Sequence, residues 1–64
     1  MKGKRIARTV TPDRGLCRVY GPAGQFLGEA VQCGAFAWEW TANGKTGQSW
    51  RLGAAKKAIS RAYA

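Results

Sequence analysis

Phe36, Trp38 and Trp40 occupy alternate positions, with Ala35, Ala37, Glu39 and Thr41 taking the other positions of the alternation. A period of two belongs to a β-strand, whose successive side chains point to opposite faces. The spacing predicts a strand over 36–41 with one aromatic face. Ala42-Asn43-Gly44-Lys45-Thr46-Gly47 follows, and Asn-Gly with a second Gly predicts a turn. Gln48-Ser49-Trp50-Arg51-Leu52 then returns as the partner strand. This hairpin holds all three tryptophans, so its aromatic face is the expected nucleus of the core.

Upstream, shorter alternating runs are separated by turn residues. Leu16-Cys17-Arg18-Val19-Tyr20 reads as a strand with Cys17 and Val19 on one face and Leu16, Arg18 and Tyr20 on the other. Gly21-Pro22-Ala23-Gly24 is a turn, because Pro presets φ and Gly tolerates positive φ. Phe26 to Cys33 is the next strand, and Gly28 within it marks a bulge or a close backbone approach. Residues 6–10 have two competing readings. Ile6–Val10 pairs with Leu16–Tyr20 through a Pro12-Asp13-Arg14-Gly15 turn, or residues 1–13 remain an arm.

After Leu52 the period changes. Ala55, Ala58, Ile59 and Ala62 fall at i, i+3, i+4 and i+7, the stripe of an amphipathic helix, with Lys57, Ser60 and Arg61 opposite. Gly53 is the expected N-cap. A stripe made mostly of Ala brings the helix backbone close to a sheet, where Trp38, Trp40 and Trp50 would fill the space. The expected fold class is therefore α+β: a small antiparallel sheet of three to five strands packed against one C-terminal helix. With five strands the sheet could curl towards a small barrel. Residues 1–64 form a single domain, with 1–5 a flexible basic arm.

Composition restricts the core. A chain of 64 residues buries only about 60% of its unfolded surface, so dense aromatic packing is its readiest source of stability. Cys17 and Cys33 fit no zinc spacing, and there is no His to complete a site. One disulfide is compatible with the sequence. Reduced core thiols are the favoured reading, and they imply a cytoplasmic setting. No apolar run approaches the roughly 18 residues that span a membrane, and no signal-peptide segment follows the basic N-terminus.

Charge says more about partners. Eleven Lys and Arg stand against three Asp and Glu, a formal net charge of +8. Such a balance is the electrostatic footprint of a nucleic-acid binder. The chemistry of catalysis is thin. Asp13, Glu29 and Glu39 are isolated, neither cysteine has an adjacent base, and Gly44-Lys45-Thr46 lacks the upstream glycine of a phosphate loop. No enzyme, cofactor or metal is expected. With Trp38, Val31 and Ile59 facing the core, the other sheet face would carry Arg18, Tyr20, Gln32, Glu39 and Arg51. Arg reads guanine and Gln reads adenine in a major groove, which a two- or three-stranded ribbon can enter. Lys45 at the hairpin tip, Lys56, Lys57 and Arg61 on the helix, and Lys2, Lys4, Arg5 and Arg8 on the arm would add phosphate contacts. Exposed tryptophans would instead make a stacking platform for a single strand.

Trp50-Arg51-Leu52-Gly53, followed by a helix with Ala55, Ala58, Ala62 and Tyr63, resembles the AP2-type DNA-binding domain. It is similar also to the arm-binding domains of phage and transposon tyrosine integrases. The resemblance covers roughly 36–63. It implies DNA binding by the sheet face away from the helix, through Arg51 and the polar face of the 36–41 strand, in an accessory or regulatory factor of a mobile element, phage or plasmid. Trp38-Glu39-Trp40 departs from the basic strand of that family. Ala55-Lys56-Lys57-Ala58 looks like the start of the last helix of double-stranded RNA-binding domains, which implies RNA as an alternative partner. An acidic protein docked on the basic face is the other alternative.

Overall fold

The computed structural model describes residues 4–64. Five strands run as a meander in the order β1-β2-β3-β4-β5: β1 (Arg8–Asp13), β2 (Leu16–Tyr20), β3 (Phe26–Gly34), β4 (Ala37–Ala42) and β5 (Lys45–Ser49). All neighbours are antiparallel. Helix α1 (Leu52–Arg61) packs on one face of the sheet, as the expected α+β class requires. The sheet is open, with β1 and β5 as its edges, so the barrel expectation does not hold.

Local chemistry explains the strand ends. Asn43 and Gly44 both have positive φ (52° and 73°), the type I′ geometry that matches the twist of a two-residue hairpin. The turn is therefore tighter than the six residues expected from sequence: Ala42 pairs directly with Lys45, and Thr46 and Gly47 belong to β5. In the first hairpin Gly15 adopts φ 77° and the Arg14 N–H donates to Asp13 Oδ1 at 2.8 Å. Pro12 lies within β1 rather than in the turn, at the irregularity between Val10 and Asp13. An edge strand tolerates a residue that cannot donate to the ladder. Residues 6–10 thus enter the sheet two residues later than the strand reading placed them.

Directly paired residues share a face. The helix side carries Cys17, Ala30 and Trp40 in one row and Val19, Gly28 and Ala42 in the next. These residues, with Leu27, Ala55, Ile59 and Ala62, include the buried core, and Ile6, Trp38, Trp40, Leu52 and Tyr63 pack around it. Ile59 is fully buried. Its truncation to Ala would cost about 2–5 kcal/mol, a large share of the roughly 5–15 kcal/mol that holds a domain together.

The helix packs over β3 and β4, with Ile59 above Gly28. A Cβ on Gly28 would sit 2.5 Å from the Thr41 carbonyl oxygen, 2.8 Å from Ala42 Cβ and 3.1 Å from Ile59 Cγ2. The close approach expected at Gly28 is therefore present, and β3 carries an extra residue at Leu27 beside it. That bulge turns Leu27 into the core and leaves Val31 on the open face. Val31 and Gln32 are the reverse of their expected faces: Gln32 pairs with Trp38 on the helix side, and Val31 pairs with Glu39 on the other. Apolar residues alternate almost equally on both faces of this segment, so alternation alone does not choose between them.

Four further expectations are corrected. Phe36 precedes β4 and is 76% exposed, and Trp50 follows β5 and is 80% exposed, so neither belongs to the core. Arg51 is the helix N-cap, with extended backbone and no side-chain capping bond, rather than a residue of the last strand; Gly53 lies inside the helix. Cys33 sits at the second β3 bulge and is exposed, whereas Cys17 is buried; both thiols are free. Lys4 is tied to the helix: its N–H donates to the Ser60 carbonyl, and the Ser60 hydroxyl donates back to the Lys4 carbonyl. The arm expected over 1–5, with Lys2, otherwise lies outside the described residues apart from the exposed Arg5.

Candidate functional site

The expected site residues divide between the two faces. On the open face, Arg8, Tyr20 and Phe26 form one cross-strand row, with the Arg8 guanidinium 5.4 Å from the Tyr20 ring centroid and the Tyr20 and Phe26 rings edge to face at 5.7 Å. Val10, Arg18, Glu29, Thr41 and Thr46 form the next row, and Leu16, Val31, Glu39 and Gln48 the third. Arg18 Nε approaches Glu29 Oε1 at 3.9 Å. Both glutamates of the chain therefore occupy this face, and Asp13 lies at the turn beside it. Arg8 and Arg18 are matched there by opposite charge or aromatic contact.

The helix side is different. Lys45, Lys57 and Arg61 converge on one groove of about 400 Å3, lined also by Trp40, Ala54, Ala58 and Ala62. Each position has a local cause. Lys45 opens β5 directly opposite the buried Ala42, so its side chain leaves the sheet on the helix side. Lys57 and Arg61 are four residues apart, one above the other on a helix. Ala54 and Ala58 are small enough to leave the groove open between helix and hairpin. Trp40 supplies its apolar wall. The indole lies so close over Gly47 that a Cβ there would meet its ring atoms at 2.8–2.9 Å.

No carboxylate lines this groove. Three exposed cations gathered in one concavity without a counter-ion repel one another, and an anion seated among them would relieve that repulsion. Lys56 is one residue before Lys57 and so lies about 100° round the helix, outside the groove. Lys4 lies against the C-terminal part of the helix, with its Nζ 5.4 Å from the Tyr63 ring centroid. Arg51 is exposed at the opposite end of the helix from Arg61.

The structure thus brings together Lys45, Lys57 and Arg61 and separates them from Arg8 and Arg18. Trp40, expected in the core, packs against it and also lines the groove. The Lys57–Arg61 spacing was the visible half of this site. Lys45 joins it only through the tight turn. Among the described residues, no group of His, Cys, Asp and Glu could hold a metal ion, and no helix is long and apolar enough to cross a membrane. No protein family, curated protein or solved structure matches the chain.

Proposed function

We propose that this chain is a small nucleic-acid-binding protein that grips the sugar–phosphate backbone of DNA with the helix side of its sheet. The observation that carries this reading is the convergence of Lys45, Lys57 and Arg61 beside Trp40 in a groove without a carboxylate, in a chain of net charge +8. Phosphate contacts of this kind position a protein without reading sequence. The open sheet face is a poorer candidate. It carries Glu29 and Glu39, and five strands at the usual spacing span about 19 Å, against a major groove about 12 Å wide. Docking by the open face, as the AP2-type resemblance implies, is thus not the mode that the geometry favours. Size and that same resemblance still fit an accessory or regulatory factor of a mobile element, phage or plasmid, working in the cytoplasm, where free thiols persist.

The test is a fluorescence-anisotropy titration of labelled random-sequence DNA with the full chain and its single alanine variants. Lys57→Ala and Arg61→Ala are expected to weaken binding several-fold, and Arg18→Ala to leave it unchanged. Failure of the full chain to bind DNA at low salt would overturn the reading and favour an acidic protein surface as the groove's partner.

A further inference from the structure

The end of the hairpin opposite the Asn43-Gly44 turn holds a second concavity, of about 270 Å3, lined by Phe36, Ala37, Gln48, Ser49 and Trp50. Its two aromatic rings are the most exposed large apolar side chains among the described residues, at 76% and 80%. The other large rings have partners. Trp38 and Trp40 pack against the core, Tyr63 donates its hydroxyl to the Leu27 carbonyl, and Tyr20 contacts Arg8 and Phe26. A domain with so little apolar material to bury nevertheless leaves Phe36 and Trp50 bare beside Gln48 and Ser49. Among the described residues, neither Gln48 nor Ser49 uses its side chain in a hydrogen bond.

We propose that Phe36 and Trp50 form a stacking site for one unpaired nucleobase at the end of the hairpin, where Gln48 and Ser49 offer polar groups on the two opposite faces of β5. Three properties select this occupant. Two aromatic side chains with polar groups in the same concavity suit a flat ligand with π faces and a hydrogen-bonding rim. The volume lies just below the 300–1,000 Å3 usual for drug-sized ligands, which suits a single base rather than a larger molecule. The net charge of +8 favours an anionic ligand over a neutral ring such as a sugar, with its phosphates on the helix side, away from Glu39, which pairs with Gln48 on the open face. Arg51 follows Trp50 and is exposed, and the groove cations begin at Lys45, at the far end of β5. The four residue steps from Lys45 to Ser49 cover about 13 Å, so one oligonucleotide can occupy both places. The proposal rests on the reading that the groove holds phosphates. It adds that the preferred substrate exposes unpaired bases.

The experiment compares a short oligo-dT, an abasic deoxyribose-phosphate oligomer of equal length, and an equal-length duplex, each titrated into the full chain at low salt. Oligo-dT is expected to bind more tightly than the abasic oligomer and to quench tryptophan emission. Trp50→Ala and Phe36→Ala are each expected to weaken oligo-dT binding by about tenfold, with abasic binding and the circular-dichroism spectrum unchanged. Equal binding of oligo-dT and the abasic oligomer, with neither variant altering it, overturns the base site while the phosphate groove stands. No binding of any oligomer overturns both. A change in the sedimentation of the free protein on Trp50→Ala would make the two rings a self-association contact and likewise overturn the base site.

Discussion

Asn43 Nδ2 donates a hydrogen bond of 2.8 Å to the carbonyl oxygen of Ala62, nineteen residues away. One side chain thereby joins the β4–β5 turn to the last turn of the helix. It satisfies one of the carbonyls that every helix end leaves without an internal partner. It also holds the turn that carries Lys45 near the end of the helix that carries Arg61, because each is a near neighbour of one bonded residue. The same residue has the positive φ that the turn demands, which Asn tolerates better than most side chains.

These two roles of Asn43 separate by substitution. Asn43→Gly keeps the backbone geometry and loses the hydrogen bond, so it is expected to lower stability by about 1 kcal/mol. Asn43→Ala loses the bond and strains the turn, adding about 1–2 kcal/mol. Urea unfolding followed by circular dichroism checks this order through the midpoint, with the slope unchanged. An Asn43→Gly midpoint equal to that of the parent chain would show that the tether to Ala62 contributes nothing, and equal midpoints for the two variants would show that the positive φ adds no strain.

Gly28 lies beneath Ile59, in a space without room for a side chain. Gly28→Ala would place its methyl against the Thr41 carbonyl and Ala42, which are backbone and core and have little room to move. A loss of about 1–3 kcal/mol is expected. Gly53→Ala is the control: its Cβ meets nothing within 4 Å, and in a helix Ala is favoured over Gly by about 1 kcal/mol, so this variant is expected to melt higher than the parent chain.

Gly47→Ala addresses the groove instead of the core. The added methyl meets the Trp40 indole at 2.8–2.9 Å and displaces the ring into the groove or the helix. Trp40 emission is expected to change, and DNA affinity to fall several-fold while the spectrum of the folded sheet persists. Unaltered affinity would show that the groove's apolar wall is not part of the interface.

The thiols report on the bulge in β3. Cys17 is 1% exposed, whereas Cys33 is exposed. A thiol reagent such as Ellman's is expected to label one cysteine at once and the second only on unfolding. Cys33→Ser should abolish the fast phase. Two fast phases would mean that the β2–β3 region is not packed as described.

Much of the architecture was legible because it rests on short-range rules. Asn43-Gly44 marks a hairpin, Ala55, Ile59 and Ala62 share one helix stripe, and Gly28 signals a close approach; all three hold in the fold. The misplacements have a common physical origin. A bulge adds one residue to a strand and reverses every face assignment beyond it. Bulges at Leu27 and Cys33 moved Val31, Gln32 and Cys33 in this way. Alternation with Trp38 and Trp40 put Phe36 on the core face, and the Ala stripe of the helix called for Trp50 as a bulky partner, yet both lie just outside strand ends. The candidate groove was only half visible. Lys57 and Arg61 share a helix face by spacing, whereas adding Lys45 and Trp40 requires the tertiary contact between helix and hairpin.

Salt dependence tests the phosphate-gripping reading most directly. The full chain is titrated with random-sequence DNA, duplex and single-stranded, at two or more salt concentrations, and again as the Lys57→Ala variant. Affinity is expected to fall steeply with salt, with a log–log slope of about −0.9 on duplex and −0.7 on single strands for each phosphate neutralised, hence roughly −2 to −3 for the three groove cations. Lys57→Ala is expected to make the slope shallower by about one phosphate contact on either form, with Arg18→Ala leaving it as it was. A slope near zero, or one that Arg18→Ala reduces and Lys57→Ala does not, would contradict a phosphate-binding groove on the helix side.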